Sequence, residues 1–410
     1  MSSQQSPTRA AKAASWFIFI ALFLDMASLG IVITVLPSLI GQLGGPANAG
    51  WVNGVFVGVW ALVQFVCSPV LGALSDRFGR RPVLLLSMAG LGLDYIVMAL
   101  APDLWWLLVG RLISGVTASS FSTCYAYVAD ITAEEERAAA FGRLGAAFGL
   151  GFILGPAVGG LLGAVSLRAP FWAAAGFSLV NAGFGLFVLP ESLPKALRSP
   201  FQWSKANPIG SLKLLRSHPE LSGLSWIHVL SQFAGAYIAS VYVLYVVRRY
   251  GWSMPMVGAS LALVGLGVAV VQGLLVGRAT AWLGERKLLV LGMAAGAISL
   301  AVFALAPWGW VFLAGIPVFC LWGLAGPALM AIMSRRVSAS EQGQLNGAVA
   351  SLTSLSDGTG PFFFGAVFSV TAGASATGAQ SGVAFLLAAG FIGAATVLSH
   401  RILRRGEPSS

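Results

Sequence analysis

Long apolar runs recur along the whole chain and constrain its fold more than any other feature. Each run approaches or exceeds the length of roughly 20 residues with which an α-helix crosses a bilayer. Only helices and closed barrels satisfy their backbone groups in lipid, and these runs lack the alternating pattern of barrel strands. We therefore predict an all-α membrane protein with twelve transmembrane helices, at residues 15–40, 51–72, 83–101, 104–128, 139–164, 170–190, 221–247, 255–277, 287–306, 309–333, 342–371 and 380–402.

The charge distribution supports a membrane protein and argues against nucleic acid as a partner. Only 9% of the residues are charged and 57% are hydrophobic, whereas soluble proteins carry roughly 25% charged residues. The net charge is +10, but 20 of the 24 lysines and arginines fall on one side of the predicted topology. Basic residues in short loops mark the cytoplasmic side. We therefore predict a multi-pass protein of the bacterial inner membrane with both termini in the cytoplasm. The arginines that break the asymmetry are Arg111, Arg168, Arg248 and Arg249.

One long hydrophilic segment divides the predicted spans six and six. It is polar, basic and interrupted by proline, and the other gaps between spans are shorter. The predicted organisation is a cytoplasmic tail at 1–14, a six-helix bundle at 15–190, a cytoplasmic linker at 191–220, a second six-helix bundle at 221–402 and a tail at 403–410.

The two halves share a loop pattern. Gly72-x6-Gly79-Arg80-Arg81, between the second and third spans, recurs as Gly277-x6-Gly284-Glu285-Arg286 between the eighth and ninth. The second copy has Ala281 where the first has Asp76. Internal repeats of this kind are typical of secondary transporters, whose substrate site lies between the repeats. A sensor or scaffold, the alternative of another class, has no need of such a repeat.

Motifs in the first half resemble those of the major facilitator superfamily. They are the loop Gly72–Pro82, Arg111-Leu-Ile-Ser-Gly115 in the fourth span, Ala129-Asp130-Ile-Thr132 with Arg137 after it, and the glycine series from Gly145 to Gly160 in the fifth. The glycine series is similar to a motif of drug–proton antiporters. The chain further resembles their tetracycline-efflux class at Asp25, Gln64, Leu93-Asp94-Tyr95, Gln232, Gln272 and Glu341-Gln342-Gly343-Gln344. The resemblance covers about residues 20–370 and implies the major facilitator fold with export of drugs in exchange for protons.

The chain departs from that class in two places. Carriers of the class usually have an aspartate in the ninth span shortly after a Leu-Gly pair, whereas this chain has Gly296 after Leu291-Gly292. Conversely, Asp357 lies in the eleventh span, where the class generally has no acid. Both changes concern groups that would meet a cation or proton, so the cargo need not be tetracycline itself.

Four charged residues lie more than five residues from either end of a predicted span, where a charge costs roughly 2.5–3.5 kcal/mol on insertion scales. Such residues are normally functional or paired. We predict a proton-coupling role for Asp25, Asp94, Arg111 and Asp357. The alternatives are a structural acid held by hydroxyls such as that of Ser28, a simple ion pair between Asp94 and Arg111, and a polar link between helices at Asp357.

Polar and aromatic side chains within the spans supply candidate substrate contacts. His228 and Gln232 lie one helical turn apart and share a face, and Gln64 and Gln272 occupy corresponding places in the two halves. Packing and hydrogen bonds between helices are the alternative roles. The predicted substrate-binding residues are Asp25, Gln64, Tyr125, His228, Gln232, Tyr237, Gln272 and Trp322.

Charges and small residues near the loops are predicted to control conformation. The resemblance implies a cytoplasmic latch of Asp76, Arg80 and Asp130, and solvated loop charges that only fix topology are the alternative. Glycines recur every fourth residue from Gly151 to Gly163, which predicts close helix packing. The predicted gating residues are Gly72, Asp76, Arg80, Asp130, Gly155 and Pro156.

The sequence contains no pattern typical of an enzyme. We predict no catalytic residues, no metal site and no cofactor, and we expect no disulfide because Cys67, Cys124 and Cys320 all lie in apolar runs. The predicted function is proton-coupled export of amphiphilic, drug-sized molecules by alternating access, with proton-coupled uptake of an organic anion or nutrient as the alternative. The expected partners are a small-molecule substrate, protons and the lipid bilayer, and we expect a monomer.

Overall fold

The structure is a computed structural model in which the described residues are 9–45, 48–117, 120–133, 136–199, 214, 218–338, 341–372 and 382–405. These residues form helices joined by short connections, and no strand occurs among them. Several predictions lie outside the described residues: most of the N-terminal tail, residues 200–213 and 215–217 of the linker, the start of the twelfth span and most of the C-terminal tail.

The helices of the first half follow the predicted spans. The predicted fourth span is covered by two helices on either side of residues 118–119. The helices are α1 (Arg9–Gly44), α2 (Ala49–Phe78), α3 (Arg80–Leu100), α4 (Leu104–Thr117), α5 (Ser120–Ile131), α6 (Arg137–Val165) and α7 (Ala169–Val188).

The helices of the second half are interrupted more often. π-Helical turns at Ile238–Tyr242 and Val271–Leu275 and a 3₁₀ turn at Leu321–Leu324 lie within the spans. The α-helices are α8 (Pro219–Gly235), α9 (Val243–Tyr250), α10 (Met254–Val270), α11 (Val276–Leu305), α12 (Gly309–Cys320), α13 (Ala325–Ser334), α14 (Gln342–Thr371) and α15 (Val383–Arg405).

The described helices fit the predicted twelve spans. Within the described residues, ten helical segments are long and apolar enough to cross a membrane. One of them, Met254–Leu305, is 52 residues long and contains two predicted spans, which are separated by a non-helical backbone at Gly284. Helix α14 is not among the ten, but it is 30 residues long and occupies the predicted eleventh span. The prediction of an all-α membrane protein is confirmed.

The chain divides into two compact units. The first comprises residues 1–35 and 66–207, and the second comprises residues 36–65 and 208–410. In the first unit, α6 packs tightly on α1: a Cβ atom at Gly155 would overlap the carbonyl oxygen of Ala27, and one at Gly159 would lie 2.9 Å from Ile31 Cα. The predicted close packing of the glycine series is therefore confirmed for these positions, and α6 continues through Pro156.

The second unit has a core dominated by aromatic rings. Phe303 and Phe312 stack with ring centroids 4.1 Å apart, and Tyr245 lies 4.4 Å from Phe385. Residues 36–65, the end of α1 and the first half of α2, belong to this unit. Helix α2 therefore contributes to both units.

The structure explains the positions of three of the four arginines that break the charge asymmetry. Arg168 donates to the carbonyl oxygens of Ala99 and Ala101 at 2.8 and 2.7 Å, at the end of α3. Arg249 donates to the carbonyl oxygen of Ala306 at 3.0 Å, just after α11. A cation is favourable at a helix C-terminus because the last carbonyls lack helical partners. Arg111 pairs with an acid, described below.

Candidate functional site

Asp94 on α3 and Arg111 on α4 form an ion pair inside the first unit. Arg111 Nη2 lies 3.1 Å from Asp94 Oδ2 and 3.2 Å from Met98 Sδ. Asp94 is fully buried and Arg111 is 5% exposed. Gly110 makes the approach possible, since a Cβ there would lie 2.7 Å from Asp94 Oδ1. Each charge is tolerable in the bundle because the other neutralises it.

Asp25 on α1 belongs to the same polar cluster. Its side chain is 4% exposed. It interacts electrostatically with Tyr95 and Cys124, and Tyr95 also interacts with Asp94 and Arg111. Tyr95 is therefore close enough for the charges of both Asp25 and the Asp94–Arg111 pair to act on it. Sequence reasoning did not assign Tyr95 a role, although it directly follows Asp94.

Asp357 on α14 is placed differently from the acids of the first unit. Its side chain reaches the protein surface although the residue lies in the middle of a span. No ion pair involving Asp357 occurs among the residues that the structure describes. A carboxyl group in this position is stable when it is protonated or when it faces water.

His228 on α8 contacts α14. His228 Nε2 lies 2.8 Å from Thr353 Oγ1, so the imidazole has a hydrogen-bond partner on the neighbouring helix. Gln232 is half-buried one turn further along. The contact fits both a substrate-binding role and the alternative role in packing.

Trp322 fills the space beside Gly296. Gly296 is the position at which the resemblance suggests an aspartate. Trp322 Nε1 donates to Ser231 Oγ at 3.1 Å. A Cβ atom at Gly296 would lie 2.9 Å from Trp322 Cγ. An acid at this position would therefore require the indole ring to move, so the glycine and the tryptophan are matched to each other.

The remaining candidate substrate residues are in varied surroundings. Tyr237 is buried in the aromatic core against Phe385, at 4.8 Å between ring centroids, which favours packing over substrate contact in this conformation. Tyr125 is partly buried, with its ring 5.3 Å from that of Phe141. Gln272 is exposed in a π-helical turn, and Gln64 on α2 is half-buried.

A charge cluster joins α2, α3 and α5 at the predicted cytoplasmic side. Arg80 Nη1 lies 2.5 Å from Asp76 Oδ1, and Arg80 Nε lies 3.2 Å from Asp130 Oδ2. Arg80 also donates to Ser75 Oγ, which in turn donates to the carbonyl oxygen of Gly72. The structure thus brings together the residues assigned to the latch.

Glu191 adds a member to this cluster that the sequence analysis did not identify. Its Oε1 accepts from the backbone N–H of Arg80 at 2.8 Å and from that of Leu193 at 3.1 Å. Its other oxygen lies 3.6 Å from Arg198 Nη2. A carboxylate that accepts from the first residue of α3 is favourable because the N–H groups at a helix N-terminus have no partners within the helix. The only signal in the sequence was an acid directly after Pro190 at the start of the linker.

The described residues contain no group of three or more His, Cys, Asp or Glu side chains that could hold a metal ion. The three cysteines are free thiols.

Comparison with known proteins points to one family. The family model of the Major Facilitator Superfamily matches residues 18–361. The tetracycline resistance protein of class C from Escherichia coli is 41% identical over 349 residues, which cover 85% of this chain and 88% of the relative. The class G protein from Vibrio anguillarum is 40% identical over 354 residues, covering 86% and 89%.

Solved structures agree on the fold. A bacterial homolog of the human lysosomal transporter Spinster superposes with a TM-score of 0.78, covering 99% of this chain and 100% of the other. The sequence identity is only 15%, so this likeness concerns the fold alone.

Proposed function

Since the chain belongs to the major facilitator superfamily, we propose that it is a proton-coupled secondary transporter that exports amphiphilic, drug-sized molecules by alternating access. The observation that carries this proposal is the buried cluster of Asp25, Tyr95, Asp94 and Arg111. Titratable groups held inside a bundle of spans are expensive, and in transporters they mark proton and substrate pathways.

The chemistry that the cluster can perform is a change of charge on Asp25. When Asp25 loses its proton, it adds a negative charge to the buried cluster that already holds the Asp94–Arg111 pair. When Asp25 is protonated, the charges of the cluster are those of the balanced pair Asp94 and Arg111, 3.1 Å apart. Asp357 supplies a second carboxyl, in the other unit. One elementary charge crossing 100 mV yields roughly 2.3 kcal/mol, which is enough to drive export against a gradient.

The cargo class follows from the relatives and from Trp322. The relatives that are about 40% identical are named tetracycline resistance proteins, so tetracyclines are the first molecules to test. The indole ring beside Gly296 provides an aromatic surface where the resemblance suggests an acid. We therefore expect recognition through stacking on Trp322, with hydrogen bonds from His228, Gln232, Gln64 and Gln272.

The placement in the membrane is part of the proposal. The basic residues support an inner-membrane protein with both termini in the cytoplasm. In that orientation the Arg80 cluster lies at the cytoplasmic mouth, where its ion pairs favour one conformation of the transporter. We expect the protein to work as a monomer.

Drug susceptibility tests the direction of transport. The chain is expressed in a bacterial host that lacks its own drug pumps, and growth is measured across a panel containing tetracyclines and other amphiphilic drugs. Export predicts that the inhibitory concentration of at least one compound rises fourfold or more, and that the Asp25→Asn variant loses the increase at equal membrane abundance. Greater sensitivity on expression would favour uptake, and no change across the panel would contradict drug export.

A further inference from the structure

Asn53, near the start of α2, makes a contact that the sequence does not suggest. Its side chain is fully buried. Its Nδ2 donates to the carbonyl oxygens of Ser240 at 2.7 Å and Ala239 at 3.2 Å. Both carbonyls lie in the π-helical turn Ile238–Tyr242. A π-helical turn disrupts the regular hydrogen bonds of an α-helix, and such turns occur frequently at functional sites.

Glycines bring the same part of α2 against α14. A Cβ atom at Gly54 would overlap the carbonyl oxygen of Pro361, and one at Gly58 would overlap the ring of Phe362. The backbone N–H of Trp51 donates to Ser369 Oγ at 2.6 Å. Small residues at every fourth position allow helix backbones to touch in this way. We call Asn53 and this glycine contact the α2 clasp.

The α2 clasp is held together by neutral groups, and one of its buried polar atoms has no hydrogen-bond partner among the described residues. The contacts just described involve amide, hydroxyl and backbone groups, in contrast to the ion pair of Asp76 with Arg80 at the other end of the same helix. Asn53 Oδ1 is buried and has no hydrogen-bond partner within the described part of the chain. A buried acceptor without a hydrogen-bond partner destabilises the closed arrangement. When the clasp opens, water can donate a hydrogen bond to this acceptor, and the cost is removed. The α2 clasp is therefore suited to open and close.

Sequence and packing disagree about where this part of α2 belongs. By the internal repeat it is part of the first six-helix half, yet it packs within the second unit. In the orientation proposed above, α2 starts at the outer face, so the α2 clasp lies at the outer end of the transport path. We propose that Asn53 is a gating residue that holds this outer end closed and releases the π-helical turn when the outer end opens. This inference rests on the proposed transport function.

A cysteine pair tests whether the α2 clasp must open. A Cβ atom at Gly50 would lie 2.9 Å from Ser369 Oγ, close to the separation that a disulfide requires between the Cβ of one cysteine and the sulfur of the other. In the Gly50→Cys/Ser369→Cys double variant, we expect an oxidant to lower transport at least tenfold and a reductant to restore it. Neither single variant should respond to the oxidant. Continued transport by fully crosslinked protein would overturn the proposal while leaving drug export intact.

A labelling experiment tests Asn53 without any cargo. A membrane-impermeant maleimide is added to intact cells that carry Ser369→Cys. We expect Asn53→Leu, which lacks both donors, to raise the labelling rate at least fivefold. Gly54→Ala should also raise it, because its new methyl group overlaps Pro361. The matched control is Asn181→Leu, since Asn181 is also a buried amide in a span but lies on α7. Unchanged labelling in both clasp variants, or an equal rise in the control, would overturn the proposal.

Discussion

The repeated glycines Gly79 and Gly284 both combine a positive φ with an extended ψ, but their side-chain surroundings differ. Gly79 has φ 111° and ψ 158°, and Gly284 has φ 71° and ψ 159°. Around Gly79 there are Arg80, Asp76 and Glu191, and a Cβ atom on the glycine would overlap Glu191. Around Gly284 a Cβ atom would meet nothing within 4 Å.

The second loop keeps one ion pair in place of a cluster. Glu285 pairs with Arg335, whose side chain is 65% exposed. The repeat therefore encodes the same turn twice, because both halves must reverse a helix within a few residues. Among the described residues, the charge network of Asp76, Arg80, Asp130 and Glu191 is seen at the first loop, and the ion pair of Glu285 with Arg335 is seen at the second. The turn is needed for the fold of each half, whereas the network is expected to serve a conformational role of the first half.

Replacing Gly79 and Gly284 by alanine should separate the contribution of the turn from that of the charge network most clearly. A Cβ at positive φ costs about 1–3 kcal/mol of stability at either position. Gly79→Ala additionally collides with Glu191, so we expect it to lower the melting temperature of the purified protein in detergent more than Gly284→Ala does. Equal losses in the two variants would mean that the contacts around Gly79 add nothing to the turn.

Replacing Arg80 in the first loop by alanine should affect transport more than stability. Arg80→Ala leaves Asp76, Asp130 and the buried Ser75 hydroxyl without their shared donor. We expect about a tenfold loss of transport rate, equivalent to roughly 1.4 kcal/mol. Arg286→Ala in the second loop is the matched control and should stay within about twofold. Comparable losses for both would show that the loops act alike.

Neutralising Glu191 should give a smaller effect. Glu191→Gln keeps an oxygen that can accept from the Arg80 backbone, but it removes the charge that faces Arg198 and the N-terminus of α3. A carboxylate near a helix N-terminus is worth about 0.3–1 kcal/mol. We expect a two- to threefold lower transport rate, measured at equal protein abundance. A rate equal to that of the parent protein would remove Glu191 from the latch.

The smallest effect is expected in the second loop. Glu285→Gln breaks an ion pair with an exposed arginine, and such pairs are worth about 0–1 kcal/mol. The melting temperature and the transport rate should both stay close to those of the parent protein. A loss as large as that of Arg80→Ala would show that the single pair replaces the network of the first loop.

The spans could be predicted from the sequence because they depend on a local pattern, whereas the latch triad was implied by the resemblance. Apolar length identified the spans. Asp76 and Arg80 lie on α2 and α3, on either side of the non-helical Gly79, and Asp130 lies on α5, so their contacts depend on how the helices pack. The π-helical turns, the Asn53 contact and the position of Glu191 at the start of α3 could not be predicted. The Asn53 and Glu191 contacts join residues that are more than 100 positions apart and meet only after the helices pack.

The aromatic residues show the same limit of prediction from the sequence. Tyr237 and Trp322 look alike in the sequence as aromatic residues within apolar spans. Tyr237 lies in the core, whereas Trp322 is only partly buried and is matched to Gly296. Tyr95 gained importance only because folding places it among Asp25, Asp94 and Arg111.

Cargo-driven proton movement tests the central claim most directly. Purified protein is reconstituted in liposomes that contain a pH-sensitive dye, and a drug identified by the susceptibility panel is added outside. Antiport predicts that the lumen becomes more alkaline as protons leave in exchange for drug, and that Asp25→Asn and protein-free liposomes show no such change. Acidification of the lumen, or an undiminished response in Asp25→Asn, would contradict the account.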